Sequence, residues 1–150
     1  MLDISERAPP FTLPDQTGKP VSLQGLLENG PLVLYFYPAD FTPGCTREAC
    51  TIRDLHGELV AARLQVAGIS PQGMESHQRF ADKYRLPFLL LSDAEKEVIA
   101  EYGVNGPLGF GVRRATFLID QDGIIRDAVL ADLRIGQHED FIRQAIALQA

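Results

Sequence analysis

The chain has 150 residues, a formal net charge of −6 at neutral pH and a hydrophobic fraction of 45%. A chain of this length lies near the commonest size of one domain and can bury roughly 68 to 70% of its unfolded surface. We therefore expect a single domain over residues 1–150. The excess of acidic residues would repel a phosphate backbone, so nucleic acid is not an expected partner.

Export and membrane insertion are also disfavoured. The N-terminal sequence MLDISERAPPF lacks the basic region and the apolar run of a secretory signal. No stretch approaches the roughly 18 consecutive apolar residues of a membrane span. The two cysteines are too few for a disulfide scaffold. These features predict a cytoplasmic protein without a membrane partner, in which the thiols are catalytic, metal-binding or inert.

The first half of the chain predicts a hairpin, a buried strand and a long helix. FTLPDQTGKPVSL at 11–23 is typical of a small hairpin, and the apolar run LVLYFYP at 32–38 favours a strand covered on both faces. This strand ends at Pro38. Thr42 and Pro43 then suit the N-cap and first helical position, with the Thr42 hydroxyl accepting a backbone amide. The helix should continue to about Ala62, with an apolar stripe at Cys45, Ala49, Ile52, Leu55 and Leu59.

The second half predicts two further strands, a hairpin and intervening helices. LQVAGIS at 64–70 and FLLLS at 88–92 are strand-like, with a helix between them. Ser92 and Glu95 form a capping-box signature for a short helix that ends near Gly103. An Asp-Gly turn joins predicted strands at 115–120 and 124–130, and a final helix is expected over about 137–149. The order predicts an α/β fold with a mixed central sheet and helices on both faces, compatible with a thioredoxin-like fold.

Cys45 falls in the first turn of the helix that begins after Thr42. Free amide groups and the positive end of the helix dipole favour a thiolate at such a position. The alternative is an inert, buried cysteine on the apolar stripe. The strand, the turn and the helix start together favour a reactive group.

Cys50 lies five residues after Cys45 in the same predicted helix. Five helical residues separate two Cα atoms by roughly 8 to 9 Å, whereas a disulfide needs roughly 4.4 to 6.8 Å. A bond between these cysteines therefore requires the helix to unwind. The spacing predicts a transient, catalytic disulfide.

Two other uses of paired cysteines fit the sequence less well. A zinc site needs four ligands, and the histidines, His56, His77 and His138, lie in separate helices without paired spacing. We expect them to be surface or partly buried residues with no role. A dithiol reductase needs two residues between its cysteines, whereas CTREAC has four, which leaves only a weak reductase activity open.

The sequence PADFTPGCTREAC, preceded by YFYP, resembles the active-site pattern of the peroxiredoxins through Pro38, Thr42 and Cys45. TPGCTREAC is similar in particular to the bacterioferritin comigratory protein or peroxiredoxin Q subfamily. FTLPDQTG, GIS, LPFLLLSD, YGV and RATFLID extend the likeness over nearly the whole chain. The resemblance implies a thioredoxin-like fold and a thiol-dependent peroxidase that reduces hydrogen peroxide and organic hydroperoxides.

The resemblance also implies a role for each matching residue. Cys45 would be the peroxidatic nucleophile and Cys50 the resolving thiol. Thr42 would hydrogen-bond to sulfur and peroxide, Pro38 would shield the pocket, and the guanidinium of Arg114 would face the thiolate. Arg113 should point to solvent, because neighbouring residues in a strand alternate. The expected reductant is thioredoxin or a similar dithiol, with no metal or organic cofactor.

The sequence leaves three features open. Glu48 matches the CTxEAC pattern and would either orient an arginine or be a solvated helix carboxylate. The 103–113 loop is short for the subfamily, and its Leu108 and Phe110 could line a substrate opening, cover the core or contact another subunit. Coverage of the core is the favoured interpretation. An internal resolving cysteine removes the chemical need for a second subunit, so we expect a monomer.

Overall fold

A computed structural model describes residues 1–149. Strands and helices alternate through most of the chain, and two short strands and a short helix precede the central sheet. The elements are β1 (Thr12–Pro14), β2 (Pro20–Ser22), α1 (Leu23–Leu27), β3 (Leu32–Phe36), α2 (Pro43–Ala61), β4 (Gln65–Ser70), α3 (Met74–Tyr84), β5 (Leu89–Ser92), α4 (Glu97–Glu101), a 3-10 turn (Pro107–Gly109), β6 (Ala115–Ile119), β7 (Ile125–Leu130) and α5 (Ile135–Leu148).

The central sheet has the strand order β5-β4-β3-β6-β7. β3, β4 and β5 are parallel, whereas β6 pairs antiparallel with β3 and with β7. β1 and β2 form a separate antiparallel pair, as the sequence predicts. The mixed sheet therefore follows from helical crossovers between the first three strands and a hairpin between the last two.

β3 is buried on both faces because its side chains enter two hydrophobic cores. Val33 and Tyr35 pack in the first core, with the apolar faces of α2, α3 and α5. Leu34 and Phe36 pack in the second core, with α1 and α4. All five residues of the predicted α2 stripe are buried, as the periodicity indicates. These contacts confirm the α/β arrangement with helices on both faces of the sheet.

The register of the sheet brings Arg114 close to the chain that leads into α2. Phe36 at the end of β3 lies opposite Ala115 at the start of β6, so Arg114 is placed beside the chain that leaves β3. The same chain leads through residues 37–42 into α2. The site therefore lies where the β3 end, the α2 start and the β6 start meet.

The structure differs from the sequence predictions in three places. The Ser92–Glu95 capping box is not formed, because the Ser92 hydroxyl donates to the Gln72 carbonyl and α4 begins only after Lys96, which has a left-handed backbone. The helix α1 was not predicted, although Ser22 caps it by accepting a hydrogen bond from a backbone amide at 3.0 Å. Leu108 and Phe110 are 95% and 78% exposed, so their predicted place in the core is wrong.

The exposed position of these two side chains has a local cause. The Lys96 ammonium donates to the carbonyl oxygens of Gly109 and Gly111, each at 2.9 Å. These bonds hold the loop by its backbone and leave its apolar side chains outside.

Among residues 1–149, no helix has both the length and the apolar character needed to cross a membrane.

Gly68 provides a test of the first core. It lies opposite Tyr35 in the sheet, and a Cβ atom there would come within 2.7 Å of the Tyr35 ring, which stacks on Tyr37 and has no room to move. Gly68→Ala should therefore lower the free energy of unfolding by about 1 to 3 kcal/mol. Gly57→Ala is the control, because nothing lies within 4 Å of its Cβ position, and should raise that free energy by about 0.5 to 1 kcal/mol. Urea unfolding measures both; equal stability of the two variants would contradict the packing argument.

Candidate active site

Cys45 lies in the first turn of α2 and its side chain is buried, at 1% exposure. Thr42 is the N-cap and Pro43 the first helical residue, as the sequence predicts. The Thr42 hydroxyl, however, donates to the Ala39 carbonyl at 3.0 Å and makes no capping bond to the helix. The amide groups of the first turn therefore remain available to groups next to the sulfur.

Arg114 is the cation next to Cys45. Its Nη2 atom lies 3.2 Å from the Cys45 sulfur, and its Nη1 atom donates to Glu48 at 2.7 Å. Asp132 supports the arginine from behind: its carboxylate accepts the Arg114 backbone amide at 2.9 Å, and its carbonyl oxygen lies 3.4 Å from Nε. Each nitrogen of the guanidinium is thus engaged, and its charge is directed at the sulfur.

The helix start has room for this arginine because residue 44 is glycine. A Cβ atom at Gly44 would lie 3.1 Å from the Nη2 atom of Arg114. Arg113 points the other way, is partly exposed and pairs with Asp132 at 2.8 Å, which confirms the predicted alternation of the two arginines.

Glu48 lies one turn after Cys45 and is 1% exposed, so the interpretation as a solvated carboxylate is wrong. It is the side chain that orients Arg114. Burial raises the pKa of Glu48 to about 7, although the neighbouring Arg114 acts to lower that pKa. Its second oxygen has no hydrogen-bond partner among residues 1–149 and lies 3.6 Å from Nδ1 of His138.

Two of the three histidines are fully buried, contrary to the prediction that they lie at or near the surface. His77 is 0% exposed and His138 is 1% exposed, whereas His56 is partly buried. The carbonyl of Ala131 lies 2.9 Å from Nε2 of His138, so that nitrogen carries the hydrogen, and Nδ1 accepts from the Thr116 hydroxyl at 2.8 Å. Burial lowers the pKa of His138, consistent with a neutral ring.

The sequence did contain one signal for His138. It lies three and four residues before Phe141 and Ile142, on the buried face of the last helix. A polar residue on such a face needs a partner inside the protein. Its partners on β6 and on α2 are distant in the chain, so they become apparent only in the fold.

A cleft of about 670 Å³ opens over Arg114. Pro38 and Phe110 both line it, which makes the substrate-opening interpretation of the loop the one that the structure favours for Phe110. The remaining lining residues come from the 105–113 loop and from Asp132. The cleft is therefore formed by the loop that enters α2, the loop before β6 and the start of the β7–α5 connection.

Cys50 is partly buried on the same uninterrupted helix as Cys45, and neither cysteine is in a disulfide. The helical spacing of five residues keeps their Cα atoms roughly 8 to 9 Å apart. The structure therefore brings Cys45, Thr42, Pro38 and Arg114 to one place and leaves Cys50 apart from them, as expected for a reduced chain.

Comparisons with known proteins agree with this geometry. The AhpC/TSA family model matches residues 4–128. The chain is 43% identical over 143 residues to a putative peroxiredoxin bcp of Coxiella burnetii, covering 91% of this chain and 93% of that protein. It is 49% identical over 120 residues to the chloroplastic peroxiredoxin Q of Sedum lineare, covering 79% of this chain but only 63% of that longer protein.

Solved structures show the same likeness. Peroxidoxin BcpB of Mycobacterium tuberculosis has a TM-score of 0.90 and 41% identity, with 99% of this chain and 97% of that chain covered. A Xanthomonas campestris bacterioferritin comigratory protein, studied for alkyl peroxide reduction, has a TM-score of 0.85 and 28% identity, with 93% and 92% covered.

These matches define a thioredoxin-like thiol peroxidase, and the chain belongs to the AhpC/TSA family of peroxiredoxins. Within that family, its relatives place it in the bacterioferritin comigratory protein and peroxiredoxin Q subfamily.

The contact between Arg114 and the Cys45 sulfur can be tested by alkylation. In a Cys50→Ser background, Arg114→Met should slow the reaction of Cys45 with iodoacetamide at pH 7 by tenfold or more, because the thiolate loses its cation while Glu48 stays nearby. Arg113→Met is the matched control and should change the rate by less than about threefold. Equal rates in the two variants would show that Arg114 does not stabilise the thiolate.

The buried Glu48 predicts a specific pH dependence of stability. Its pKa rises from 4.5 to about 7 on folding, so its stabilising contribution is complete below pH 4.5 and is lost as the pH rises through 7. Between pH 5 and pH 8, the free energy of unfolding of wild type should fall by on the order of 1 to 3 kcal/mol relative to that of Glu48→Gln. Urea unfolding at both pH values gives this difference. The control Glu58→Gln changes an exposed carboxyl on the same helix. Its free energy of unfolding should change with pH as that of wild type does.

Proposed function

We propose that the chain acts as a single-domain peroxidase in which the Cys45 thiolate reduces hydrogen peroxide and organic hydroperoxides. The observation that carries this proposal is the 3.2 Å contact between the Arg114 guanidinium and the buried Cys45 sulfur at a helix start. A cation and free amides around a thiolate favour its ionised form and leave donors for an oxygen that gains charge. The alkyl peroxide reduction studied in the Xanthomonas relative supports organic substrates.

In the first step, the Cys45 sulfur attacks the terminal oxygen of the hydroperoxide. A sulfur–oxygen bond forms, the oxygen–oxygen bond breaks, and the leaving alkoxide or hydroxide takes up a proton to give an alcohol or water. Arg114 and the amides of Gly44 and Cys45 are the available donors for that leaving oxygen. Because the Thr42 hydroxyl donates its hydrogen to Ala39, its oxygen remains free to accept the hydrogen of the peroxide.

Pro38 has a different role, because it carries no donor. It lines the cleft together with Arg114, and we propose that its apolar ring limits the approach of water to that end of the site. Excluding water strengthens the electrostatic interaction between the thiolate and Arg114.

In the second step, Cys50 attacks the sulfur of the Cys45 sulfenic acid. A disulfide forms and water leaves. Because the two cysteines occupy one continuous helix, this step requires α2 to unwind between Thr42 and about Ile52. An external dithiol, thioredoxin or a similar protein, then reduces the disulfide by thiol exchange.

The remaining parts of the proposal concern the setting of the reaction. Both steps use side chains of one chain, so a monomer suffices. Sulfur carries the electrons throughout, so the cycle needs no metal or organic cofactor. A reducing compartment such as the cytoplasm would supply the dithiol and keep both thiols free.

Substitution of each cysteine separates the two steps. With thioredoxin, its reductase and NADPH, Cys45→Ser should consume peroxide at least about a hundredfold more slowly than wild type, because no nucleophile remains. Cys50→Ser should consume about one equivalent of peroxide and then stop with this reductant. In the wild type, mass spectrometry after one equivalent should find Cys45 joined to Cys50 within one chain. A bridge between chains would contradict the resolving role, and equal activity of Cys45→Ser and wild type would contradict the function itself.

A further inference from the structure

A buried hydrogen-bonded pair of Asp40 and His77 joins the loop that leads into α2 to the helix α3. Nδ1 of His77, on α3, is 2.7 Å from Oδ2 of Asp40, and both side chains are fully buried. Asp40 lies two residues before Thr42 and five before Cys45. The Tyr37 hydroxyl donates to the same carboxylate at 2.7 Å, and the Ser76 hydroxyl donates at 2.8 Å. A charged group of the active-site loop is therefore held by three donors.

Both ring nitrogens of His77 lie near oxygen atoms inside the protein, and the Ser70 hydroxyl lies 3.5 Å from Nε2. Nδ1 faces the Asp40 carboxylate, and Nε2 faces the Leu91 carbonyl at 3.2 Å, which can only accept. Burial would raise the pKa of Asp40, but its hydrogen bonds, with that to His77 the largest, place this pKa below its ordinary value. The carboxylate and the ring therefore form a hydrogen-bonded pair inside the protein.

The next residue of the loop is held in a strained conformation. Phe41 has a φ of +65°, which is unfavourable for a bulky side chain. Its ring packs against Phe80 and Tyr84 of α3, with centroid separations of 5.2 and 6.4 Å. Such a backbone persists only where the surrounding contacts determine it. Here α3 provides contacts to Phe41 itself and to Asp40, the residue before it.

We propose that Asp40 and His77 are a positioning pair that holds the 38–42 loop against α3 and so keeps Cys45 in its peroxide-reducing position. The pair rests on the function proposed above, since it concerns how the reacting cysteine is held. Neither residue contacts the sulfur. The first helical bond after the loop, from the Thr46 amide to the Thr42 carbonyl at 2.8 Å, must break when α2 unwinds.

This arrangement sets the balance between two fates of oxidised Cys45. While the loop is held, the sulfenic acid stays in the pocket, where a second peroxide can oxidise it further to sulfinic acid. When the loop is released, the relaxed Phe41 backbone favours unwinding, and Cys50 can form the disulfide. A weaker pair should therefore slow the first step, speed disulfide closure and lower the yield of sulfinic acid.

Substitutions of His77 test the pair directly. His77→Gln places its amide near the Leu91 carbonyl and loses the bond to Asp40, whereas His77→Asn places an amide nitrogen near Asp40 but loses the contact with Leu91. By quenched-flow mass spectrometry, His77→Gln should form sulfenic acid about tenfold more slowly and close the disulfide several-fold faster than wild type, with less sulfinic acid under excess peroxide. Both rates and the sulfinic acid yield of His77→Asn should lie between those of His77→Gln and wild type. Hydrogen exchange of amides 46–50, which begin with the Thr46 amide, should quicken by tenfold or more in His77→Gln while β3 and β6 amides stay unchanged.

Two controls separate positioning from general destabilisation. His56→Gln changes a partly buried histidine of α2 outside the loop and should match wild type. Leu59→Ala removes core contacts far from the loop and should lower overall stability without changing the ratio of sulfinic acid to disulfide. If His77→Gln does not fold, Ser76→Ala and Tyr37→Phe each remove one donor to Asp40 and should shift the ratio in the same direction.

The outcomes distinguish the two proposals. If wild type forms no sulfenic acid at Cys45, the proposed function fails. If wild type reacts and closes its disulfide but the substitutions leave the ratio of sulfinic acid to disulfide and the exchange of amides 46–50 unchanged, the positioning pair is overturned. Exchange that quickens equally throughout the chain would also overturn it.

Discussion

The contact between Arg114 and the Cys45 sulfur depends on the pairing of two distant strands. Arg114 is placed by the antiparallel register of β6 against β3, and Cys45 is placed by the helix that follows β3. A shift of one residue in that register would turn Arg114 to the other face of the sheet. The buried β3, with side chains in both cores, fixes the register. Reactivity at the helix start is therefore a consequence of packing at the centre of the sheet.

Two buried polar pairs lie at and near the site. Glu48 and Arg114 form one of them, and Asp40 and His77 form the other, at the loop that leads into α2. Buried pairs contribute little net stability, because the loss of hydration offsets most of their attraction. They matter more for geometry, because each pair joins elements that are distant in the chain. One pair holds the start of α2, and the other holds the loop before it. Stability comes from the two apolar cores, and the pairs set the conformation.

Much of the fold follows from local sequence patterns. The apolar run of β3, the stripe of α2 and the Asp-Gly turn between β6 and β7 each predict their element correctly, because the physical cause lies within a few residues. Thr42 and Cys45 are found in the same way, since the helix start is a local feature. Arg114 required the likeness to a known family, because nothing near it in the chain indicates that it faces a thiol.

The features that were missed depend on contacts between distant residues. Glu48 matches a motif, yet only the packing of α2 against α5 shows that it is buried. His77 and His138 lack paired spacing, so their partners on the active-site loop, β5 and β6 cannot be found along the chain. The capping box at Ser92 failed for a similar reason, because the Gln72 carbonyl takes its hydroxyl and Asp93 accepts the Ile99 amide instead. Local patterns identify candidates for these bonds, and the fold decides which of them form.

The proposed cycle places two opposing requirements on the helix α2. Its first turn supplies amides and dipole to Cys45, which favours an intact helix during attack on peroxide. The same intact helix keeps Cys50 too far away to form a disulfide. A chain that must satisfy both conditions in turn needs an element with two conformations that are close in free energy. The strained backbone at Phe41 favours release, while the Arg114 contact and the α3 contacts favour the intact state. In the proposed cycle, oxidation of the sulfur would remove the negative charge that Arg114 stabilises, so the first step would itself shift this balance toward unwinding.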